Sequence, residues 1–378
     1  MNCPYDQICG GCLLRNLEQD DYKKTKESKC RQILQHIKSK NWKWEEPIFI
    51  GDGTRRRAAL TFCKDKEKLL LGFNKKSSHE IVDITSCCLL TPSINQILPN
   101  LKSLLGELCN LKFTIKLGKK SLSQKLFSGD VLICQTDNGL DILLEYDAPI
   151  DVNTRMIIAD FCQKNEAVIR VSHRKNANDN PETLLQKATP YIKMGNYNVP
   201  IPAGTFLQAS SKSEQILGQL VAKYLQNTKG NIADLFCGVG TFSYYIISDI
   251  KDIKIKALDL SDDLLKNFKI AVNANQISNI EIKKQNLFKY PLTAGEISSF
   301  EAIVFDPPRS GAKEQCYQIA LADKKPKIIV AVSCNPLTFV NDANSLIDAG
   351  YDLKEVTMID QFTYSNHSEL VAVFILPD

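Results

Sequence analysis

Residues 231–242 read Asn-Ile-Ala-Asp-Leu-Phe-Cys-Gly-Val-Gly-Thr-Phe. The apolar run over 231–236 predicts a short buried strand. Gly238 and Gly240 then allow a tight turn and a close backbone approach. Upstream, Ile216, Leu217, Leu220, Val221, Tyr224 and Leu225 fall on one helical face. Downstream the rhythm alternates: a helix, a strand over 253–259, a second helix around 264–274, then apolar strands at 302–306 and 328–333 separated by helical stretches. This alternation predicts an α/β fold, with a mainly parallel sheet covered on both faces. Ligands of such sheets bind beyond the C-terminal strand ends, and the loops that stand out chemically all fall there.

The glycine pair is not the full GxGxxG of dinucleotide folds, and no GK[ST] follows it, which argues against a nucleoside triphosphate. Asp259 ends the next strand, where a carboxylate can accept both hydroxyls of a ribose; a solvated strand-end acid is the plainer reading. Glycine turn and acid together point to an adenosine-containing cofactor. A second loop reads Asp306-Pro-Pro-Arg-Ser-Gly311. Its prolines fix an extended, rigid segment, suited to holding a flat base beside a cofactor or simply to making a turn. A third, Ser333-Cys334-Asn335-Pro336, puts Cys334 at a strand edge. Cysteine is a strong nucleophile once ionised, although most cysteines are merely buried. Near the C-terminus, Phe362-Thr-Tyr-Ser-Asn-His-Ser-Glu369 precedes an apolar strand. Glu369 and His367 stand at its mouth and either can accept a proton; His367 reads better as a residue that holds the loop through a ring hydrogen bond.

The remainder of the chain has a different texture. Residues 1–45 open on Cys3, Cys9 and Cys12, spaced C-x5-C-x2-C, and continue as a basic helix: eight Lys and Arg lie between Tyr22 and Trp44, with Glu27 as the one acid. Leu34 and Ile37 can anchor that segment; a solvated charged face and contact with a polyanion are both open to it. Residues 46–200 carry short β-like pieces at 58–62, 69–73, 113–117, 131–135 and 140–146, with a helix over 98–108, and read as a small β-rich α+β domain. Arg55, Arg56 and Arg57 together could hold phosphates. The expected domains are thus 1–45, 46–200 and 201–378.

A chain of 378 residues, 44% hydrophobic and 24% charged, with 33 Gly and Pro, is neither fibrous nor disordered. The net charge is only +4, but residues 1–80 hold 17 basic against 11 acidic residues, so the basic excess lies at the N-terminal end. No apolar run is long enough to span a membrane, and no signal core precedes Cys3. A cytoplasmic protein is expected. In a reducing compartment, disulfides explain the thirteen cysteines poorly. Three thiols within ten residues suit an iron–sulfur cluster or zinc, with Cys87 or Cys88 able to supply a fourth.

In combination, Cys3/Cys9/Cys12, DLFCGVGTF, DPPRSG, SCNP and a C-terminal His-x-Glu resemble the RNA 5-methyluridine (uracil-C5) methyltransferase family, over nearly the whole chain. The resemblance implies a class I, Rossmann-like, S-adenosylmethionine-dependent methyltransferase domain. It implies a [4Fe-4S] cluster held by Cys3, Cys9, Cys12 and Cys87, since residues 83–92 match the family's D-[IV]-x-x-C-x-[LI]-L-x-P and leave Cys88 spare. It further implies cofactor contacts from Gln208 of GTFLQ, Phe236, Gly238, Gly240, Thr241, Asp259, Asn286 and Asp306, with Cys334 as nucleophile and Glu369 as base. Two departures stand out. The N-terminal RNA-binding β-barrel of many members is expected to be absent, which favours the smaller ribosomal-RNA subclass. The loop FTYSNHSE replaces the more usual FPHTPHVE, and loss of its proline loosens it.

The implied chemistry explains the residue types. Uracil C5 is a poor nucleophile; addition of the Cys334 thiolate to C6 makes it an enolate carbon able to take the sulfonium methyl, after which Glu369 removes the C5 proton and Cys334 leaves. The partner is then RNA, a single-stranded or loop uridine of 23S rRNA, since extruding a base costs least there, and a monomer suffices. Three other readings are open: a tRNA uracil-C5 methyltransferase, an exocyclic-amine methyltransferase that uses DPPR without a thiolate, and a non-catalytic iron–sulfur RNA-binding protein.

Overall fold

The stretch around Asp234 forms a strand whose residues Ile232, Ala233, Asp234 and Leu235 are all fully buried. Such burial on both faces is what a central parallel strand requires. In the computed structural model, which describes residues 3–117 and 120–377, the chain divides into two units: Met1–Asn16, Gly51–Ile192 and Ile201–Ser211 in the first, and Leu17–Ile50, Lys193–Pro200 and Lys212–Asp378 in the second.

The second unit is the α/β body that the alternation predicts. Its main elements are α1 (Gln19–Leu34), β1 (Lys43–Trp44), β2 (Ile48–Phe49), α2 (Ser211–Leu225), β3 (Gly230–Leu235), α3 (Thr241–Asp249), β4 (Ile253–Asp259), α4 (Asp262–Ala274), β5 (Ile280–Lys284), β6 (Ala302–Phe305), α5 (Lys313–Leu321), β7 (Ile328–Ser333), α6 (Pro336–Asp348), β8 (Asp352–Asp360) and β9 (Glu369–Ile375). The strands form one nine-stranded sheet, in the order β1-β8-β9-β7-β6-β3-β4-β5, with β2 also on β8. β5, β4, β3, β6 and β7 are mutually parallel. β9 enters antiparallel between β7 and β8. That reversal puts the first residue of β9 at the same end of the sheet as the last residues of the parallel strands.

The first unit is α+β, as the short alternating pieces predict. Its seven-stranded sheet runs Glu182–Gln186, Val168–Arg174, Gly139–Glu145, Ser128–Thr136, Arg57–Asp65, Lys68–Asn74 and Ile81–Asp83. Alternate residues Ala58, Leu60 and Phe62 point into the core. The helix Pro92–Asn110 buries Ile94, Leu98, Leu101, Leu105 and Leu108 in the same cluster. The 168–174 and 139–145 strands run parallel through the intervening helix Val152–Lys164, which composition alone does not reveal.

The boundaries expected at 45/46 and 200/201 are corrected. Residues 3–16 join the first unit because Gly10 N–H donates to Asn74 O at 2.9 Å and Cys9 bridges Lys75. The basic segment 17–50 joins the second: Lys26 makes a buried ion pair with Asp360, and β1 and β2 pair with β8. Leu34 and Ile37 are both buried, as their spacing predicts. Among the described residues, no helix is long and apolar enough to cross a membrane.

Candidate active site

Two groups of residues gather at the C-terminal edge of the parallel strands in the second unit. The first surrounds the turn after β3. Gly240 has φ +89°, and a Cβ there would meet the Phe268 ring at 2.2 Å, so only glycine lets the turn close on α4. Phe236 is held in the left-handed region at φ +61°, a conformation that costs a non-glycine residue about 1–3 kcal/mol and is typical of a site. Gly238 N–H donates to Asp259 Oδ2 at 2.9 Å, and Ser261 N–H donates to Oδ1 at 2.9 Å. Each carboxylate oxygen keeps a lone pair for a further donor, which fits a ribose diol. Beside this acid, Leu260 is 53% exposed and Phe288 44% exposed. The Phe288 ring lies 5.3 Å from that of Phe236. Asn286 supports this wall, its Oδ1 accepting from Phe288 and Lys289 N–H at 3.1 Å each. Thr241 begins α3. An exposed aromatic and aliphatic pair next to a carboxylate suits a purine nucleoside, so the residues fit an adenosine-bearing cofactor.

The second group is Asp306, Cys334 and Glu369. Ser333 pairs with Leu370 across β7 and β9, so residues 334 and 369 face each other at the mouth of that antiparallel pair. Asp306 follows β6, which pairs with β7. The loops are tied together: Asn335 Nδ2 donates to Arg309 O at 2.9 Å and Thr338 Oγ1 to the same carbonyl at 3.2 Å. Asn335 also caps α6 through Leu337 N–H. Arg309 Nη2 lies 3.3 Å from His367 Nε2. Burial and the cations Arg309 and Lys26 lower the proton affinity of that ring, so it accepts from the guanidinium and fastens its loop to the DPPR segment.

Three acids this close compete for few charges. Burial first, then the Glu369 and Asp306 carboxylates, push the Cys334 thiol up to about 11, while Arg309 opposes them. Burial and Asp306 drive Glu369 well above the ordinary carboxylate range, and a hydrogen bond from Gln361 opposes that shift. Burial and Asp234 raise Asp306. Glu369 is only 2% exposed, and its Oε1 has no hydrogen-bond partner among the described residues. A partially exposed thiol beside a buried carboxyl with one open oxygen can perform nucleophilic addition and proton abstraction at one small planar substrate.

The other expected residues lie in the first unit. Gln208 follows the exposed Phe206; its carbonyl accepts from Arg56 Nε at 3.1 Å, and Arg57 Nη1 donates to Leu207 O at 2.6 Å. The expectation that the arginine triplet serves phosphates is corrected for Arg56, which is 2% exposed and braces the 206–208 backbone. The Arg57 guanidinium lies over the Phe206 ring at 4.5 Å. Cys3, Cys9, Cys12 and Cys87 line one cavity of about 50 Å³, with Phe73, Ile84 and Leu90 among its apolar walls. Burial, then Cys87, Cys9 and Cys3, push the Cys12 thiol up to about 12, with Arg15 opposing. Gly11 N–H donates to Cys9 Sγ at 3.4 Å. Cys88 is not on this cavity wall; its thiol senses Arg15 and Cys3. Among the described residues, no three His, Cys, Asp or Glu side chains converge as a single metal ion would require. The four thiols share the wall of that one cavity.

Several members of these groups carry no signal in the sequence. Leu260 and Phe288 look like stray surface apolar residues until the fold sets them beside Asp259. Gln361 and Ser213 carry no motif at all.

The chain is similar to known proteins over its length. The family model described as tRNA (Uracil-5-)-methyltransferase matches residues 18–376. An uncharacterised RNA methyltransferase of Mesorhizobium japonicum is 32% identical over 99% of this chain and 84% of its own length. The 23S rRNA (uracil(1939)-C(5))-methyltransferase RlmD of Aliivibrio fischeri is 26% identical over 98% of this chain and 81% of its own. The crystal structure of the Pyrococcus abyssi tRNA (uracil-54, C5)-methyltransferase with S-adenosyl-L-homocysteine superposes with a TM-score of 0.72 at 21% identity, covering 97% of this chain and 86% of that one. That likeness is one of fold.

Proposed function

The chain belongs to the tRNA (uracil-5-)-methyltransferase family, and from that premise we propose that it methylates C5 of a specific uridine in RNA through a covalent bond between Cys334 and uracil C6, with Glu369 as the base. The observation that carries this reading is the register of β7 and β9, which sets a thiol and a buried carboxyl opposite each other beside Asp306. S-adenosylmethionine, when bound, supplies an electrophilic methyl group. Asp259, Gly238, Gly240, Phe236, Thr241 and Asn286 would hold its adenosine part, with Asp306 as a further contact in this reading; Gln208, expected as another, lies in the first unit. Arg309 favours the thiolate of Cys334, which adds to C6 and loads electron density onto C5. Once C5 carries the methyl group, Glu369 takes the remaining C5 proton and the thiolate departs. Neither residue can do the other's part: a carboxylate is too weak a nucleophile for C6, and the thiolate is already bonded when the base is needed.

The chemistry of the four cavity-lining thiols supports a [4Fe-4S] cluster held by Cys3, Cys9, Cys12 and Cys87, since four thiolates are the ligand set such a cluster takes. Its role in this reading is to order the N-terminal loop of the first unit. The RNA is 23S rRNA in this reading, supported by the similarity to RlmD. The family's own description favours tRNA as the second reading. Liquid chromatography and mass spectrometry of rRNA and tRNA from cells with and without the gene distinguish the two. Loss of one 5-methyluridine from 23S rRNA is the expected result; loss from tRNA moves the target; unchanged 5-methyluridine in both overturns the activity.

A further inference from the structure

The two carboxylate oxygens of Glu369 are held differently. Oε2 accepts a hydrogen bond from Gln361 Nε2 at 2.6 Å, whereas Oε1 is buried with no hydrogen-bond partner among the described residues. Gln361 directly follows β8 and is itself 5% exposed. Its own orientation is set from behind: its Oε1 accepts from Ser213 Oγ at 3.0 Å, and Ser213 is fully buried on α2. An amide has one accepting and one donating end, so a donor on the carbonyl turns the NH₂ toward Glu369. Ile359 pairs with Glu369 across β8 and β9, which makes the reach from residue 361 to residue 369 a local feature of that strand mouth. The ionisable groups acting on the site from the other strands are Asp306 after β6 and Cys334 after β7, with Arg309 acting on Cys334. None of these reaches Oε1, which has no hydrogen-bond partner among the described residues.

We propose that Gln361, oriented by Ser213, is a positioning residue for the base: it pins one oxygen of Glu369 so that the open oxygen, Oε1, is the one presented to the proton on C5. The inference rests on Glu369 being the base. In the step concerned, the C5 proton moves to Oε1, the C5–H electron pair becomes the C5–C6 double bond, and the C6–S pair returns to Cys334 as thiolate. Pinning does two things. It removes rotation of the carboxylate plane, which would otherwise carry Oε1 away from the proton. It also stabilises the carboxylate form against burial and the nearby Asp306, both of which favour the protonated form. Without Gln361 more of Glu369 stays protonated at any given pH, so elimination needs a higher pH.

The test follows product release and the fraction of protein covalently bound to RNA, from mildly acidic to alkaline pH, using unmodified 23S rRNA and tRNA transcripts with S-adenosylmethionine. Gln361→Met should slow release roughly tenfold to a hundredfold at neutral pH, the range expected for losing a hydrogen bond to a charged group. Adduct should accumulate, and the deficit should shrink as pH rises. Ser213→Ala should shift the same limb in the same direction by less, and it carries the test if Gln361→Met does not fold. Binding of S-adenosylhomocysteine and thermal melting report folding. A folded Gln361→Met or Ser213→Ala with the unmodified pH profile and no adduct overturns the inference, and a purely structural role for Gln361 predicts that result. Glu369→Gln separates the two levels: if it accumulates adduct while Gln361→Met does not, positioning fails and the base assignment stands; if it accumulates none, both fail.

Discussion

Lys26 on α1 and Asp360 at the end of β8 form an ion pair across 334 residues of sequence, with side chains only 2% and 1% exposed. Tyr22 donates to the other oxygen of the same carboxylate, and the Lys26 ammonium also reaches Phe362 O at 3.0 Å. Tyr364 N–H donates to Tyr22 Oη at 2.9 Å. A basic helix thereby fastens the segment between Asp360 and Glu369. Lys26→Met should leave a buried carboxylate without its cation and lower stability by about 3–5 kcal/mol, whereas Lys26→Met with Asp360→Leu should recover part of the loss. Urea unfolding measures both. A single-variant loss below about 1 kcal/mol would show that water reaches the pair.

Gly240→Ala tests the turn after β3. A methyl group there must displace the Phe268 ring and accept a left-handed φ. The expected loss is about 1–3 kcal/mol from overpacking, with weaker S-adenosylhomocysteine binding by calorimetry. Gly238→Ala meets nothing within 4 Å, so its effect comes from φ +57° alone and should be the smaller of the two. Equal losses would put the constraint in the backbone and not in the Phe268 contact.

Cys334 titrates high because burial and two carboxylates oppose its ionisation. In the ligand-free protein, alkylation by iodoacetamide should therefore be slow at neutral pH and climb toward a limb near about 11. Removing a carboxylate that is ionised in that alkaline range should bring the limb down, so Glu369→Gln should speed alkylation at alkaline pH. Mass spectrometry of the peptide containing Cys334 follows this residue apart from the other cysteines. A plateau already reached at neutral pH would mean that the acids do not act on the thiol.

Ligation by the four cavity thiols has a direct readout. Cys87→Ser should abolish broad visible absorbance and lower the iron content of anaerobically purified protein, while Cys88→Ser should leave both unchanged. Iron content maintained in Cys87→Ser, or lost in Cys88→Ser, would reassign the fourth ligand.

Much of the second unit can be read from the sequence, because a buried parallel strand must be apolar throughout and a strand-end loop must break that pattern. Asp234 through Thr241, Asp306 and Cys334 announce themselves in this way. Pairings over long distances do not. Nothing near Lys26 signals that its charge is buried against Asp360, so the basic segment reads as an exposed face and the domain boundary is drawn at residue 45. Arg56 reads as a phosphate contact for the same reason, since its burial against the Gln208 carbonyl depends on a return of the chain 152 residues later. Gln361 is invisible because its function depends on Ser213 and Glu369, which only the folded sheet brings to either end of its amide.

The mechanism turns on a bond between Cys334 and a uracil carbon. It is tested most directly with RNA transcripts in which uridine is replaced by 5-fluorouridine, incubated with the protein and S-adenosylmethionine. Fluorine leaves no proton for Glu369 to remove after methylation, so the adduct cannot resolve. The expected result is a stable protein–RNA conjugate whose digest carries a methylated fluorouridine nucleotide on the Cys334 peptide, absent from Cys334→Ala. A conjugate on another residue, or methylation of ordinary transcripts by Cys334→Ala at the wild-type rate, would contradict it.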